Sequence, residues 1–147
     1  MIHGSITDKA YEEPDKIAVI QGSRSVRYEE LHLGISRVAT FLMKEGIQMG
    51  DRVGIIIENS PEYIISYFGI QKAGGISVAI NPQSSTYELK RIFNNCLPDI
   101  LVVEGKSLKP ILEIIAEGTS LKTIIVNSLS NEELRSFLNR NGKFPSD

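Results

Sequence analysis

The sequence predicts an α/β fold: a mostly parallel sheet with helices on both faces, preceded by a small β-hairpin and a helix. From Arg52 onward, short apolar runs typical of buried strands alternate with segments in which apolar residues recur at helical spacing. The helical segments tend to begin at a capping residue and to end at glycine or proline. Such alternation requires crossover connections, which make neighbouring strands parallel.

Three elements are predicted before residue 50. A short helix over Thr7–Glu13 is stopped by Pro14. The runs "IAVI" and "SVRY" flank "QGSR" and predict a hairpin that turns at Gly22. From Tyr28 the apolar residues share one helical face, and Gly46 follows that helix as its C′ residue; they are Leu31, Ile35, Val38 and Leu42.

The stretch "DRVGIIIENSPEYIISYFGIQKAGG" places a polar corner between two apolar segments. "RVGIII" predicts a strand that is covered on both faces. Ser60 is suited to cap the next helix and Pro61 to occupy its first position. That helix is predicted to run to Lys72 or Ala73 and to break at Gly74-Gly75, before the strand "ISVAI".

The same pattern continues to the end of the chain. Ser85 and Glu88 form a capping box for a helix that Pro98 ends, and "DILVVE" follows as a strand. A further helix closes at Gly118 before the strand "KTIIV", and a last helix is predicted from Ser130. The apolar faces of these three helices comprise Leu89, Ile92, Phe93 and Cys96; Leu108, Ile111, Leu112 and Ile115; and Leu134, Phe137 and Leu138.

Composition excludes several functional classes. The chain has 147 residues, 41% hydrophobic and 23% charged, and a formal net charge of -2, so it lacks the basic excess of a nucleic-acid-binding protein. No apolar run approaches the ~20 residues of a membrane span, and the first residues lack an apolar leader. One cysteine, Cys96, favours an intracellular location, which we expect to be cytoplasmic. His3 and His32 give no metal-ligand spacing.

Two turns are candidates for a ligand-facing role, because open α/β sheets bind ligands at the carboxyl ends of their strands. At the first, Asn59 and Ser60 could bind an anion at a helix N-terminus, or simply cap that helix. Glu58 and Glu62 make this corner acidic, which disfavours phosphate. The second is Asn81-Pro82-Gln83, for which a purely structural role in the exit turn is the alternative.

Other candidate residues have simpler interpretations. Ala73–Gly75 follows a helix and lacks the spacing of a phosphate loop, so close packing is its expected role. Cys96 is expected to be a core thiol, and His32 to be exposed. The charges of "LKR" and "KSLK" are taken as solvated helix ends, and the aromatic residues of the 61–72 helix as core; these are Tyr63, Tyr67 and Phe68. No catalytic, cofactor-binding or metal-binding residue is assigned.

The order of these segments resembles the opening part of the AMP-forming acyl-activating enzymes, which include fatty-acyl-CoA synthetases, aryl-CoA ligases, luciferases and the adenylation domains of peptide synthetases. The similarity extends over most of Ile17–Glu104, and after Gly105 it is one of pattern only. The matching positions are Tyr28, Glu30, Leu31 and Gly46; Gly50, Asp51, Arg52 and Val53; Asn59, Ser60 and Glu62; Ala73 and Gly74; Asn81 and Pro82; Glu88 and Leu89.

The resemblance implies an amino-terminal fragment of an AMP-forming acyl-CoA synthetase. The longer enzyme would use ATP, Mg²⁺ and CoA to convert a carboxylic acid to acyl-CoA, AMP and pyrophosphate. The family's Ser/Thr-rich phosphate loop and C-terminal lysine have no match here, so the fragment is expected to be inactive and to bind none of these cofactors. Gln83 stands where some members have a basic residue that helps hold the CoA nucleotide. The alternative is a stand-alone, non-catalytic α/β ligand-binding or interaction module.

The resemblance also predicts a division of the chain. Residues 1–48 would belong to an adjoining subdomain, and residues 49–147 would form a parallel-sheet subdomain. The helical stripe from Leu31 to Leu42 would then lack its usual partners, and the fragment is expected to self-associate through it.

Overall fold

A computed structural model describes residues 2–118 and 121–127 of the chain. The helix predicted from Ser130 lies outside these residues. A 3₁₀ turn covers Gly105–Ser107. The other elements, in chain order, are α1 Ile2–Glu12, β1 Ile17–Gln21, β2 Arg24–Arg27, α2 Tyr28–Lys44, β3 Arg52–Ile56, α3 Pro61–Lys72, β4 Ile76–Ala79, α4 Thr86–Cys96, β5 Ile100–Glu104, α5 Leu108–Ala116 and β6 Thr123–Asn127.

The strands form two sheets. β1 and β2 pair antiparallel, and their connection starts at Gly22, whose φ of +58° suits a tight hairpin turn. The other four strands form one sheet in the order β4-β3-β5-β6, and every pair within it is parallel. The predicted fold class is therefore confirmed.

The helices cover both faces of the four-stranded sheet. On one face, Val53 and Ile55 of β3 pack with Ile70 of α3. On the other face, Ile56 of β3 packs with apolar residues of α4 and α5. The loop after β3 therefore leads to one face of the sheet and the loop after β4 leads to the other. The two loops diverge, which leaves a crevice at the carboxyl ends of these strands.

Helix α2 packs mainly against α3. Leu31, Ile35 and Leu42 are buried, with exposed fractions of 3%, 2% and 0%. The expectation that this stripe lacks partners is wrong, because α3 supplies them. Self-association stays a prediction, but an uncovered apolar stripe on α2 no longer supports it.

The start of the first helix differs from the sequence prediction, and the predicted domain division can be set beside the packing. Helix α1 begins at Ile2 instead of Thr7, because the polar, glycine-containing start of the chain gave no helical signal. The division at residue 48 stays a prediction, and Leu42 and Ile47 on one side of it share an apolar cluster with Val53 on the other.

Candidate functional site

An open cleft of about 550 Å³ lies at the carboxyl ends of β3 and β4. We call it the β3–β4 cleft. Its walls come from the two turns that sequence reasoning singled out as ligand-facing, and its floor is apolar. The lining residues are Ile57, Glu58, Asn59, Tyr63, Ala79, Ile80, Asn81, Pro82 and Gln83.

The wall on the β3 side is the corner that leads into α3. Ser60 has extended backbone angles (φ −158°, ψ 165°), and its hydroxyl oxygen accepts a hydrogen bond from the Tyr63 amide at 3.2 Å. Pro61 occupies the first helical position, where no amide donor is needed. The Ser60 hydroxyl therefore caps the helix, which is the simpler of the two roles considered for this corner.

The wall on the β4 side is the turn at residues 81–83. The Asn81 Oδ1 atom accepts a hydrogen bond from the Gln83 amide at 2.9 Å, and the Asn81 carbonyl accepts one from Ser84 at 3.0 Å. This local bonding is typical of asparagine in turns. It holds the Gln83 side chain across the cleft from Glu58, with 3.4 Å between Gln83 Nε2 and Glu58 Oε1.

Lys106 joins the corner to the end of β5. Its ammonium lies 2.8 Å from a carboxylate oxygen of Glu58 and 3.2 Å from one of Glu104, and Glu104 also accepts the Glu58 amide at 3.1 Å. The hydrogen bond from Lys106 lowers the pKa of Glu58, and the bonds to Glu58 and Glu104 raise the pKa of Lys106. Two carboxylates against one ammonium leave this edge acidic, which disfavours phosphate.

The tip of the β1–β2 hairpin holds the same corner from the opposite side. The Gln21 side-chain amide donates to the Asn59 carbonyl at 2.8 Å, and the Arg24 guanidinium lies 2.7 Å from the Glu62 carboxylate. Burial works to raise the pKa of Glu62, but the hydrogen bonds from Arg24, from its own backbone amide and from Ser60 outweigh burial and lower it.

Sequence reasoning missed these partners. It interpreted Lys106 as a solvated helix end. A signal was present, because Glu104 is the last residue of a predicted parallel strand and Lys106 lies two residues beyond it, at the same edge of the sheet as Glu58. No local signal could have found Gln21, which is 38 residues from Asn59.

Gly75 has the packing role expected for the segment Ala73–Gly75. A Cβ atom at Gly75 would lie 2.7 Å from Ile47 Cδ1, 3.0 Å from Ile70 Cγ2 and 3.3 Å from the Asp51 carbonyl oxygen. A larger residue would therefore crowd these neighbours, which favours glycine here, and the segment lies at the end of the sheet away from the β3–β4 cleft.

His32 is half-buried, so its predicted exposure is wrong. Helix α1 covers it: His32 Nδ1 lies 3.4 Å from Thr7 Oγ1, and the imidazole ring centroid lies 5.9 Å from that of Tyr11. Burial and the charge of Lys72 lower the pKa of His32.

Cys96 lies away from the cleft, at the end of α4. It is half-buried, so the expectation of a core thiol holds only in part. The backbone carbonyl of Cys96 accepts a hydrogen bond from Arg52 at 3.2 Å.

The aromatic residues of α3 pack in part as expected. Tyr63 and Tyr67 stack at a centroid distance of 6.2 Å, and both pack against the cluster of β3. Tyr63 also lines the β3–β4 cleft, so one face of this aromatic group borders a ligand-sized space.

Two findings concern only the part of the chain that the structure describes. Among residues 2–118 and 121–127, no group of three or more His, Cys, Asp or Glu residues is arranged to hold a metal ion. Within those same residues, no helix has the length and apolar character needed to cross a membrane.

Comparison with known proteins gives a consistent result. The family described as "AMP-binding enzyme" matches residues 6–145. A medium/long-chain-fatty-acid–CoA/3-oxocholest-4-en-26-oate–CoA ligase of Mycolicibacterium smegmatis is 34% identical over 113 residues, which are 77% of this chain and 20% of that ligase. The chain thus spans about a fifth of that relative's length.

Solved structures share the fold. The anthranilate CoA ligase AuaEII, in complex with anthranoyl-AMP, superposes with a TM-score of 0.79 at 27% identity, covering 90% of this chain and 26% of the ligase chain. The N-terminal domain of FACL13 from Mycobacterium tuberculosis has a TM-score of 0.80 at 25% identity, covering 92% of this chain and 36% of that domain's chain.

Proposed function

The chain belongs to the AMP-binding enzyme family, and on that premise we propose that it is the amino-terminal part of an AMP-forming acyl-CoA synthetase. The longer protein would couple a carboxylic acid to CoA and convert ATP to AMP and pyrophosphate. The observation that carries the proposal is the family match over residues 6–145, with similarity to fatty-acid and aryl CoA ligases in both sequence and fold. No observation favours the stand-alone binding module.

We propose that the β3–β4 cleft does not hold the nucleotide phosphates. The β3–β4 cleft is lined by Glu58 and by amide side chains, and its nearest cation, Lys106, is already shared by two carboxylates. Among residues 2–118 and 121–127 no group of three or more His, Cys, Asp or Glu residues is arranged to hold a metal ion. We therefore assign no catalytic step to these residues, and we propose that they provide scaffold and one wall of the acid or CoA site.

The experiment is a pyrophosphate-release assay on two proteins. A longer protein that contains this chain is expected to release pyrophosphate from ATP in the presence of dodecanoate and CoA. The chain of 147 residues alone is expected to release none. Absence of release from the longer protein across a series of aliphatic and aromatic acids would contradict the proposal. Release by the short chain would contradict its predicted inactivity.

Three finer expectations remain part of the proposal. A cytoplasmic location rests on the single cysteine and is tested by cell fractionation. Self-association is supported by Leu33 and Phe41, whose side chains are 46% and 44% exposed on the outer face of α2. Light scattering tests it. The division at residue 48 is tested by limited proteolysis, which should then cut first between α2 and β3.

A further inference from the structure

We propose that the tip of the β1–β2 hairpin is a positioning element for the β3–β4 cleft. In this proposal Gln21 and Arg24 hold the corner Glu58–Glu62 where it forms a cleft wall. Neither of these two side chains lines the cleft, so they act through the corner. The structural part stands alone, and only its effect on substrate use rests on the proposed function.

The hairpin tip contacts the corner at two points. The Gln21 side-chain amide donates to the Asn59 backbone carbonyl at 2.8 Å, next to Glu58 in the wall. Arg24 pairs with Glu62 at 2.7 Å, in the first turn of α3. One contact therefore fixes the backbone before the helix and the other fixes the helix start, so the corner cannot shift without breaking at least one of them.

The body of the hairpin is anchored, which lets its tip act as a fixed point. Val26 is buried and packs with Leu31 and Ile35 of α2, and Val19 packs against the same cluster. Phe68 of α3 packs against that cluster too. The hairpin therefore moves with α2 and α3, and a fixed tip restrains the corner against them.

On its other side, the corner is held by groups of the sheet edge. Glu58 binds Lys106 at 2.8 Å and lies 3.4 Å from the Gln83 side-chain nitrogen. The corner is thus held between the hairpin and the opposite wall of the cleft. Loss of the hairpin contacts should let the corner move. This movement should change the Glu58–Gln83 distance, and with it the width of the cleft.

The contacts are of the right strength for such a test. Arg24 is 55% exposed and Glu62 27% exposed, and an exposed ion pair or hydrogen bond contributes little to the stability of a whole domain. Removing both tip contacts should therefore loosen the corner and leave the sheet folded.

The first experiment compares three forms of the chain by NMR: the wild type, Gln21→Ala/Arg24→Ala, and the control Ser23→Ala, which changes the same tip. In the double variant we expect exchange of the Glu58 amide, which donates to Glu104, to rise about five- to tenfold. The side-chain amide signals of Gln83, across the cleft, should shift. Exchange at Leu101 in β5 should stay as in the wild type, and Ser23→Ala should change none of these signals.

Two results would overturn the structural part. Unchanged exchange at the Glu58 amide would show that the hairpin does not hold the corner. A uniform rise that includes β5 would show general destabilisation instead of positioning. The single variant Arg24→Lys keeps the positive charge and the Gln21 contact, and its exchange at Glu58 should stay within about twofold of the wild type.

The second experiment measures steady-state kinetics of the longer protein with ATP, dodecanoate and CoA. The double variant should raise KM for dodecanoate or CoA about fivefold while kcat stays within about twofold, since the wall moves and the reacting groups do not. Unchanged KM values with a loosened corner would refute the link to substrate binding. An inactive wild-type protein would refute the proposed function and leave the NMR result standing.

Discussion

Gly69 is where α2 and α3 approach most tightly, and it supports a quantitative prediction. A Cβ atom at this position would lie 2.6 Å from Val38 Cγ1, 2.7 Å from Val38 Cβ and 3.2 Å from the Ile35 carbonyl oxygen. Val38 Cβ and the Ile35 carbonyl are fixed to the α2 backbone. Gly69→Ala therefore cannot be accommodated by a rotamer change, and the two helices must move apart.

Two opposing effects set the magnitude. Overpacking of this kind typically costs about 1–3 kcal/mol. Replacing a glycine inside a helix by alanine typically stabilises the helix by about 1 kcal/mol. Taking the upper half of the overpacking range, because the clash is with backbone-fixed atoms, Gly69→Ala should lower the free energy of unfolding by about 1–2 kcal/mol.

The assay is urea denaturation followed by circular dichroism at 222 nm, with the midpoint and slope fitted separately. Gly34→Ala is the matched control in the same helix pair, since the three nearest atoms to its Cβ would all belong to the Ile65 side chain, at 2.8–3.2 Å, and none to the backbone. The control should change the free energy of unfolding by less than about 1 kcal/mol. A Gly69→Ala variant as stable as the wild type would refute the close-approach argument.

Two further predictions concern a helix cap and a half-buried histidine. Ser85→Ala removes the hydroxyl that accepts the Glu88 amide at 3.3 Å and should cost about 1 kcal/mol in the same denaturation assay; an unchanged midpoint would contradict the cap. His32 should titrate by NMR below its usual pKa of about 6.5, and Lys72→Gln should move it back toward that value; titration at or above 6.5 in the wild type would contradict its burial. As pH falls, the unfolded chain takes up this proton at a higher pH than the folded chain does. The contribution of His32 to the free energy of unfolding is therefore fully present above pH ~6.5 and declines as pH falls toward the lowered folded pKa.

Much of the parallel sheet follows from local signals in the sequence. The run before Asn59 is apolar on both faces of a strand, and Ser60-Pro61 marks the helix start to the residue. The Ser85–Glu88 capping box is present as predicted. Such features depend on residues within one or two turns of each other, and they can therefore be inferred without knowledge of the fold.

The features that sequence reasoning missed depend on distant parts of the chain. His32 lies off the apolar stripe of α2, and only the packing of α1 on that helix shows that it is covered. Whether Leu31 and Ile35 have partners depended on how α3 crosses α2, which no spacing encodes. The sequence predicts the two turns of the cleft separately. Their placement side by side depends on the pairing of β3 with β4.

The spacing of the corner's partners along the chain has a consequence for biosynthesis. Gln21 and Arg24 precede the corner, so both have left the ribosome before Glu58–Glu62 emerges, whereas Gln83 and Lys106 are made later. Because chains emerge amino terminus first, the nascent corner meets the hairpin before its other neighbours exist. Of the groups that hold the corner, the hairpin residues are therefore the first to leave the ribosome.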